Sequence, residues 1–408
     1  MFREYKGIPR TAMLLVYLSF IPGMAIGFIY TDLSYLLPHV DGFSGAQLGA
    51  TITVMAVSTL LTSLPLGILA DRHGRRKMLV LGNLCASVAL LGFAFVRTFT
   101  LAVPIAIVEG TGEGAFAVSV GALIADLAGD EKRTATFSLL NFLGWISSAA
   151  GGFAISSVVL FEADGLTANA AHVWLYAIVG LLNLSVTPLM FKIPETKRLA
   201  SGEKRKGVLP RKSGSVLAKF SIFSIGIAFG AGLFVPLMAD WFSLRYGVTD
   251  AVSGPVLGIA SLLTAVAIFM SPKIARKFGV VKAIALTEAA SILFMFEVPL
   301  LPTFYTSAGV YTVRVFLMNL SNPLTQSLIM GLVAPEERGM ASGITAALWR
   351  FPNAISTFIG AILMGEGLLA LPFYLATAIY GVSITAFWFM FRGVRLPEES
   401  AQPPASQS

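Results

Sequence analysis

Charged side chains are scarce in this 408-residue chain, where Asp, Glu, Lys and Arg make up only 12% of the residues. A soluble domain usually carries about 25%. Hydrophobic residues account for 56% of the chain, and the mean hydropathy is +0.78. Too few polar side chains remain to cover a water-soluble globule, so the composition favours an integral membrane protein.

Cysteine and histidine are almost absent as well. Cys85 is the only cysteine, and the histidines are His39, His73 and His172. A single cysteine excludes an internal disulfide and a thiolate metal site. Because all three histidines fall in loops or at the ends of apolar runs, we predict no metal site and no histidine proton relay within the membrane.

Motifs of enzymes and ATP-driven pumps are also missing. The chain has no Walker A motif and no G-x-S-x-G motif, and its glycine-rich segment 110–114 lies inside an apolar run with no strand before it. We therefore predict a protein that is not an enzyme and needs no cofactor. Any work that it does would draw on an ion gradient, for which protons are the first choice.

Long apolar runs are what the chain has instead. Each is about 20 residues or longer, the length that crosses a bilayer as a helix. Twelve are centred near 11–34, 46–70, 77–96, 100–126, 136–160, 170–191, 218–241, 251–272, 282–301, 308–333, 341–364 and 368–391. We number these predicted spans one to twelve, and they indicate a multi-pass membrane protein.

The basic residues are distributed unequally between the loops. Of the 29 Lys and Arg residues, 25 fall in alternate segments that share one side of the membrane, and only Arg97 and Arg245 fall in loops on the other side. Cytoplasmic loops carry such an excess, which predicts a cell-membrane protein with both termini in the cytoplasm. The net charge of +7 therefore reflects topology, and we expect no nucleic-acid partner.

The two halves of the chain repeat each other at an offset of 205 positions. The repeated residues are Gly74, Lys77, Glu131 and Arg133, which recur as Gly279, Lys282, Glu336 and Arg338. Duplicated sets of membrane helices are typical of transporters that rock one half against the other. We predict an N-terminal six-helix bundle over 1–191, a cytoplasmic linker over 192–217, a C-terminal bundle over 218–396 and a disordered tail over 397–408.

The most informative motif joins spans two and three and contains Gly67, Asp71, Arg72, Gly74, Arg75, Arg76 and Lys77. Gly67 would let helices approach closely, and Gly74 would permit a turn with positive φ. Asp71 can face the positively polarised N-terminus of another helix. A simple cluster of positive charge that sets the topology is the alternative interpretation.

This motif resembles the signature of the major facilitator superfamily, G-x-x-x-D-R-x-G-R-R-[KR], at every position. The resemblance implies an all-α membrane fold of twelve helices in two pseudo-symmetric six-helix bundles. It also implies a cytoplasmic latch, in which Asp71 docks on the start of span eleven and Arg75 pairs with Asp126. The second copy carries Arg276 and Pro272 at the positions of Asp71 and Gly67, so we expect one latch only.

Three charged residues fall near the middle of predicted spans. Glu109 and Glu113 are four positions apart on span four, hence on one helix face, and Arg314 is the repeat counterpart of Glu109. The resemblance implies that spans one, four, seven and ten line a central cavity, where these charges would meet. A charge in the membrane costs about 3 kcal/mol and usually marks function. We hypothesise that the glutamates carry a coupling proton whose balance Arg314 sets; a structural ion pair is the alternative.

Other polar and aromatic residues are weaker candidates. Arg350 on span eleven would bind an anionic group or pair with a glutamate of span four. Asp32 and Asp240 fall near span ends, where we expect them to reach water. Glu288 and Glu297 lie on span nine, which is peripheral in the family, and we do not select either. Candidate cavity walls are Tyr30, Phe116, Trp145 and Trp349.

Two departures from the family pattern bear on function. Ala106 and Glu109 replace the arginine and glutamine that many members carry on span four. Span five keeps the glycine pair Gly151-Gly152 but lacks the Gly-Pro that drug exporters tend to show before it. The resemblance implies coupling by another group, and it weakens an exporter assignment without removing it.

The interpretation that fits best is a single-chain secondary transporter of small organic molecules, working as a monomer in the bilayer by alternating access. Efflux in exchange for protons is our first choice. Proton-coupled uptake of a sugar, organic acid or other metabolite is the second. A non-transporting membrane sensor or scaffold is the alternative from another class.

Overall fold

The computed structural model describes residues 7–196, 213–334 and 337–394, whose regular structure is entirely helical. Eleven segments are long and apolar enough to cross a membrane: Arg10–Val40, Gly45–His73, Arg75–Phe93, Phe99–Leu127, Glu131–Ala163, Ala168–Met190, Gly214–Tyr246, Asp250–Phe278, Val280–Leu300, Ala341–Gly365 and Leu371–Phe391. The predicted span ten is the 29-residue helix Phe304–Leu332, which is less apolar because it contains Arg314, Asn319 and Asn322. The centre of the predicted linker and the predicted tail lie outside the described residues.

Two spans are interrupted. Span one consists of helices Arg10–Leu18 and Phe20–Tyr35 followed by a π-helical turn, Leu36–Val40. Span seven consists of Gly214–Gly232, a 3-10 turn at Val235–Leu237 and Met238–Tyr246. In each span a proline lies at or just after the break (Pro22 or Pro236), where the missing N–H leaves a carbonyl of the preceding turn without its helical partner.

The chain folds into two compact units that do not coincide with its two sequence halves. Unit 1 comprises Met1–Lys204, Pro236–Ser261 and Thr357–Gly367; unit 2 comprises Arg205–Val235, Leu262–Ser356 and Leu368–Ser408. In unit 1, span four packs on spans two and three, span five on span one, and span six on span three. In unit 2, span nine packs on spans ten and twelve, and the first helix of span seven packs on span twelve.

Unit 1 has two ends, which we name after the residues that mark them. The Gly74 end carries the loop between spans two and three, and the Asp41 end carries the loop between spans one and two. The segments that unit 1 takes from the second half of the sequence contact the Asp41 end: Asp240 contacts His39, and Asp250 contacts His172.

The glycine pair of span five lets two neighbours approach its backbone. A Cβ on Gly151 would lie 2.3 Å from the Met24 carbonyl oxygen of span one. A Cβ on Gly152 would lie 2.9 Å from the Gly254 carbonyl oxygen and 3.0 Å from Gly258, both on span eight. Glycine is therefore required on both faces because backbone packs directly on backbone.

Gly74 ends span two in a conformation that few other residues adopt. Its φ of 118° and ψ of 132° confirm the predicted positive-φ turn, and Gly279 repeats it with φ of 80°. A Cβ on Gly74 would also lie 2.6 Å from the carboxylate of Glu195. Backbone geometry and space both require glycine here.

We predict that Gly74→Ala destabilises the protein by about 1–3 kcal/mol, the usual cost of forcing a side chain into such a conformation. Gly129→Ala is the matched control, because Gly129 also has positive φ but a Cβ there meets nothing within 4 Å among the described residues. Thermal unfolding in detergent should show the larger loss for Gly74→Ala. Equal losses would mean that contact with Glu195 contributes nothing.

Candidate functional site

The loop at the Gly74 end is organised by a single buried guanidinium. Arg75 is 5% exposed and donates from Nε (3.1 Å) and Nη2 (2.8 Å) to Oδ1 of Asp71. Its Nη1 donates to Oδ2 of Asp126 and, at 3.3 Å, to the carbonyl of Ala122. The structure thus places Arg75 against Asp126, as the resemblance implied, and adds Asp71 as a second partner.

The neighbouring arginine makes a contact that the sequence analysis did not anticipate. The backbone N–H of Arg76 donates to Oε1 of Glu195 at 3.0 Å, and its Nη1 donates to the carbonyls of Phe191 and Ile193, each at 3.2 Å. The segment after span six is therefore held on the start of span three. No sequence pattern described above pointed to this contact.

The other charged side chains of the motif are more exposed than Arg75. Arg72 and Lys77 are exposed, and the side chain of Asp71 is 53% exposed. Its docking on the start of span eleven stays a prediction. The expected close helix approach at Gly67 is wrong for this structure, because a Cβ there would meet no described atom within 4 Å.

We predict that Arg75→Lys lowers stability by about 2 kcal/mol, since an ammonium cannot reproduce the planar fork that serves two carboxylates. Arg72→Lys is the control because Arg72 is exposed, and it should leave the thermal unfolding midpoint unchanged. Equal midpoints for the two variants would show that charge alone is sufficient at position 75.

In the middle of span four, Glu109 points into a small cavity inside unit 1. The cavity has a volume of about 10 Å³. This is close to the space that one water needs. Its lining residues are Pro22, Ala25, Ile26, Asn83, Ala86, Leu90, Glu109, Gly112, Glu113, Phe116 and Asn183. Glu109 and Glu113 thus share one helix face, as predicted, and Phe116 lines the same space.

The polar groups around this cavity lack hydrogen-bond donors. Oε2 of Glu109 and the side-chain oxygens of Asn83 and Asn183 are buried without a partner among the described residues. Asn83 Nδ2 donates both of its N–H groups, to the Asn183 carbonyl (2.9 Å) and the Thr187 hydroxyl (2.8 Å), and Asn183 Nδ2 donates one to the Ser87 hydroxyl (3.0 Å). Acceptors are therefore in excess where Glu109 lies.

Glu113 is held by hydroxyl groups from two other spans. Its Oε2 accepts from the Tyr30 hydroxyl of span one at 2.9 Å and lies 3.2 Å from the Thr59 hydroxyl of span two. The Thr59 hydroxyl also lies 3.0 Å from the Met55 carbonyl. One hydroxyl proton cannot serve both acceptors at once, so Thr59 donates either to Glu113 or to the Met55 carbonyl.

Arg314 is buried within unit 2 at 3% exposure. Its Nη2 donates to the Tyr380 hydroxyl at 3.0 Å, and its guanidinium lies 4.9 Å from the Phe234 ring centre. It interacts electrostatically with Glu288, whose carboxylate accepts from Ser321 at 2.7 Å. Glu288, which the sequence analysis set aside, is thus part of this group; the pairing of Arg314 with Glu109 stays a prediction.

The other candidates are placed less decisively. Arg350 is half-buried on span eleven. Trp145 and Trp349 are 36% and 42% exposed. The role of Arg350 as an anion-binding residue and the role of the two tryptophans as cavity walls stay predictions.

At the Asp41 end, His172 joins two buried aspartates. Its Nε2 lies 2.9 Å from Oδ2 of Asp250 and 3.7 Å from Oδ1 of Asp32, and its Nδ1 lies 2.7 Å from the Ala168 carbonyl. Asp32 is fully buried, and both its carboxylate oxygens lack a hydrogen-bond partner among the described residues. The expectation that Asp32 reaches water is therefore wrong.

A second histidine–aspartate pair lies beside the first. Nε2 of His39 lies 2.8 Å from Oδ1 of Asp240, which is also buried, so Asp240 does not reach water either. Tyr35 stacks on both imidazoles, with ring centres 4.9 Å from His39 and 6.3 Å from His172. The sequence predicted neither pair because their members lie on different spans, far apart in the chain.

Asp41 and Arg97 connect the loops at this end. Nη1 of Arg97 lies 3.1 Å from Oδ1 of Asp41, and its Nη2 donates to the Asn169 side chain at 2.7 Å. Burial raises the pKa of the Asp41 carboxyl to about 6, although the charges of Arg97 and His172 act in the opposite direction. Desolvation exceeds the two attractive interactions here.

The raised pKa of Asp41 makes a specific prediction about stability. The folded state holds this proton more tightly than the unfolded state, so the stabilisation is complete below the ordinary pKa of 3.8 and is lost as pH rises through about 6. Asp41→Asn stays neutral, so the wild-type midpoint should fall relative to this variant over that interval.

Exposed Asp164, on a loop at the same end, provides the control. Asp164→Asn should follow the wild-type profile of unfolding midpoint against pH. Parallel profiles for wild type and Asp41→Asn would contradict the shift.

Comparison with known proteins agrees with this architecture. The family model of the Major Facilitator Superfamily matches residues 11–322. Multidrug resistance protein 1 of Bacillus subtilis is 25% identical over 402 residues, covering 94% of this chain and 97% of the relative. Quinolone resistance protein NorA of Staphylococcus aureus is 22% identical over 380 residues, covering 91% and 94%.

Solved structures show the same fold. A D-xylose–proton symporter matches with a TM-score of 0.74 at 16% identity, covering 96% of this chain and 99% of that one. The nucleoside transporter NupG matches with a TM-score of 0.72 at 14% identity, covering 94% and 100%.

The helical membrane architecture and the match to the family model agree with each other. The chain belongs to the major facilitator superfamily. It is accordingly a multi-pass membrane transporter of small molecules and not an enzyme.

Proposed function

We propose that this chain exports small organic compounds in exchange for protons, with Glu109 and Glu113 as the proton carriers. The observation that carries the proposal is the excess of acceptors around Glu109, whose Oε2 is buried without a partner beside two asparagine oxygens in the same state. A proton on the carboxyl, or a water in the cavity, supplies the missing donor. A buried carboxylate without either would cost several kcal/mol.

Glu113 complements Glu109 because its surroundings accommodate both protonation states. When it is ionised, the Tyr30 and Thr59 hydroxyls donate to it. When it is protonated, its own hydroxyl can donate to Thr59, which then donates to the Met55 carbonyl. A group with two satisfied states is suited to take up and release a proton during transport.

The direction and the chemical class of the substrate are supported by the relatives. Those named above are described as multidrug and quinolone resistance proteins, and a carboxylate pair suits a cationic or amphipathic compound. In the proposed orientation the Gly74 end and both termini are cytoplasmic, and the protein works as a monomer in the plasma membrane.

In that orientation the Asp41 end faces outward, and segments 236–261 and 357–367 pack on it within unit 1. These segments would then cover the outer end of unit 1, and the Arg75 cluster would lie at its inner end.

Proton-coupled uptake of a metabolite is the second candidate, and Arg314 favours it as a charge for an organic anion. The two candidate functions differ in the direction of proton movement relative to the substrate. In proteoliposomes, an exporter moves protons against the substrate flow, whereas a symporter moves both in the same direction.

The test is transport driven by an imposed pH gradient, with ethidium as the probe cation. Glu109→Gln and Glu113→Gln should each lower uphill transport at least about tenfold, because a missing carrier uncouples the cycle. Glu366→Gln, an exposed carboxylate, is the control and should transport normally. Retained uphill transport in both cavity variants would refute the proposed carriers.

A further inference from the structure

The two aspartates and one histidine at the Asp41 end carry too little positive charge for their burial. Asp32 and Asp250 contribute two negative charges when ionised, and His172 contributes at most one positive charge. Among the described residues, neither carboxylate forms an ion pair with a lysine or arginine. Because a buried net charge is unfavourable, the cluster needs one more positive charge, which either a proton on one carboxyl or a bound cation would supply.

The orientation of His172 limits where that charge can be placed. The Ala168 carbonyl, 2.7 Å from Nδ1, can only accept a hydrogen bond, so Nδ1 carries the proton. Nε2 then faces the two carboxylates. If Nε2 were also protonated, it would donate to Asp250 at 2.9 Å, while Asp32 at 3.7 Å would stay beyond hydrogen-bonding distance. Neither oxygen of Asp32 forms a hydrogen bond of normal geometry among the described residues, although the buried Tyr176 hydroxyl and the Asp250 carboxyl lie close enough to interact with it.

We propose that this cluster binds a divalent transition-metal ion, with Zn²⁺ as the ion to be tested, through Nε2 of His172 and one oxygen each of Asp32 and Asp250. The three ligand atoms lie within 4.8 Å of one another. Tetrahedral Zn²⁺ with bonds near 2.0–2.1 Å separates its ligands by about 3.4 Å. The observed separations of 2.9 and 3.7 Å lie on either side of that value.

The chemistry of the ligand set fits this class of ion. A hydrogen bond from the second ring nitrogen to a backbone carbonyl is the usual support of a metal-binding histidine. Two carboxylates and one neutral imidazole balance a divalent charge completely. An imidazole ligand favours Zn²⁺ or Co²⁺ over Mg²⁺ and Ca²⁺, and three protein ligands leave a fourth position for water.

The site has a structural consequence because its ligands come from three spans. Asp32 lies on span one, His172 on span six and Asp250 at the start of span eight. A bound ion would fasten the start of span eight to the first half of the chain and stabilise the packing at the Asp41 end. If the proposed transport cycle is correct, Zn²⁺ would slow it; binding itself does not depend on that cycle.

Calorimetric titration of tag-free, chelator-treated full-length protein with ZnCl₂ tests the proposal. Wild type should bind one equivalent saturably, and Asp32→Asn, His172→Gln and Asp250→Asn should each weaken binding at least about tenfold. The wild-type unfolding midpoint should rise with Zn²⁺. His39→Gln is the matched control, since it removes the neighbouring histidine of the same end and should leave Zn²⁺ binding unchanged.

A second measurement keeps the test decisive if the ligand variants do not fold. X-ray absorption of the Zn²⁺-loaded wild type should show only nitrogen and oxygen ligands near 2.0–2.1 Å, including one imidazole. A sulfur ligand, either the Cys85 thiolate or a methionine thioether, would overturn the proposal. So would the absence of saturable binding up to about 100 µM, an affinity limit near 5.5 kcal/mol, or unchanged binding in all three variants.

Discussion

A charge that enters a helical membrane bundle must find its partner inside the protein, because the bilayer supplies none. This constraint organises every polar group described above. Arg75 has two carboxylates and a carbonyl around it. Arg314 has a tyrosine hydroxyl and an aromatic face. Pairing is incomplete for several groups, because Nε of Arg314, Oε2 of Glu288, Oε2 of Glu109 and both oxygens of Asp32 are buried without a partner among the described residues.

Arg75 differs from Glu109 and Asp32 in how completely its hydrogen bonds are satisfied. Arg75 is surrounded by acceptors that use its whole guanidinium, as expected of a residue that holds a loop in place. Glu109 lies beside a water-sized cavity. Asp32 lies beside His172, whose Nε2 is within hydrogen-bonding distance of Asp250 but not of Asp32. An incomplete hydrogen-bond set is tolerated where a proton, ion or ligand completes it during function.

Much of the architecture could be predicted from the sequence, because these elements are indicated by patterns within short stretches of the chain. Apolar runs predicted the spans, and Gly74 predicted a positive-φ turn that the structure confirms. Offsets within one helix placed Glu109 and Glu113 on a common face. These inferences required only neighbours in sequence or a fixed helical period.

Contacts between distant spans left no such signal. His172 and Asp250 meet across 78 positions, and Arg76 meets Glu195 across 119. The sequence does not show which other spans cover a carboxylate near a span end. Asp32 and Asp240 were therefore wrongly predicted to reach water. Gly67 failed for a related reason, since a small residue permits close packing but does not require it.

The membership of unit 1 has a consequence for biogenesis. Gly152 and Gly49 are covered by Gly254 and Phe358, which belong to spans eight and eleven. The ribosome makes these covering segments after the first six spans, with a delay on the order of ten seconds at usual elongation rates. During that interval the small-residue faces of spans two and five meet lipid or a chaperone of the insertion machinery, and the first bundle reaches its final packing only when much of the second has been synthesised.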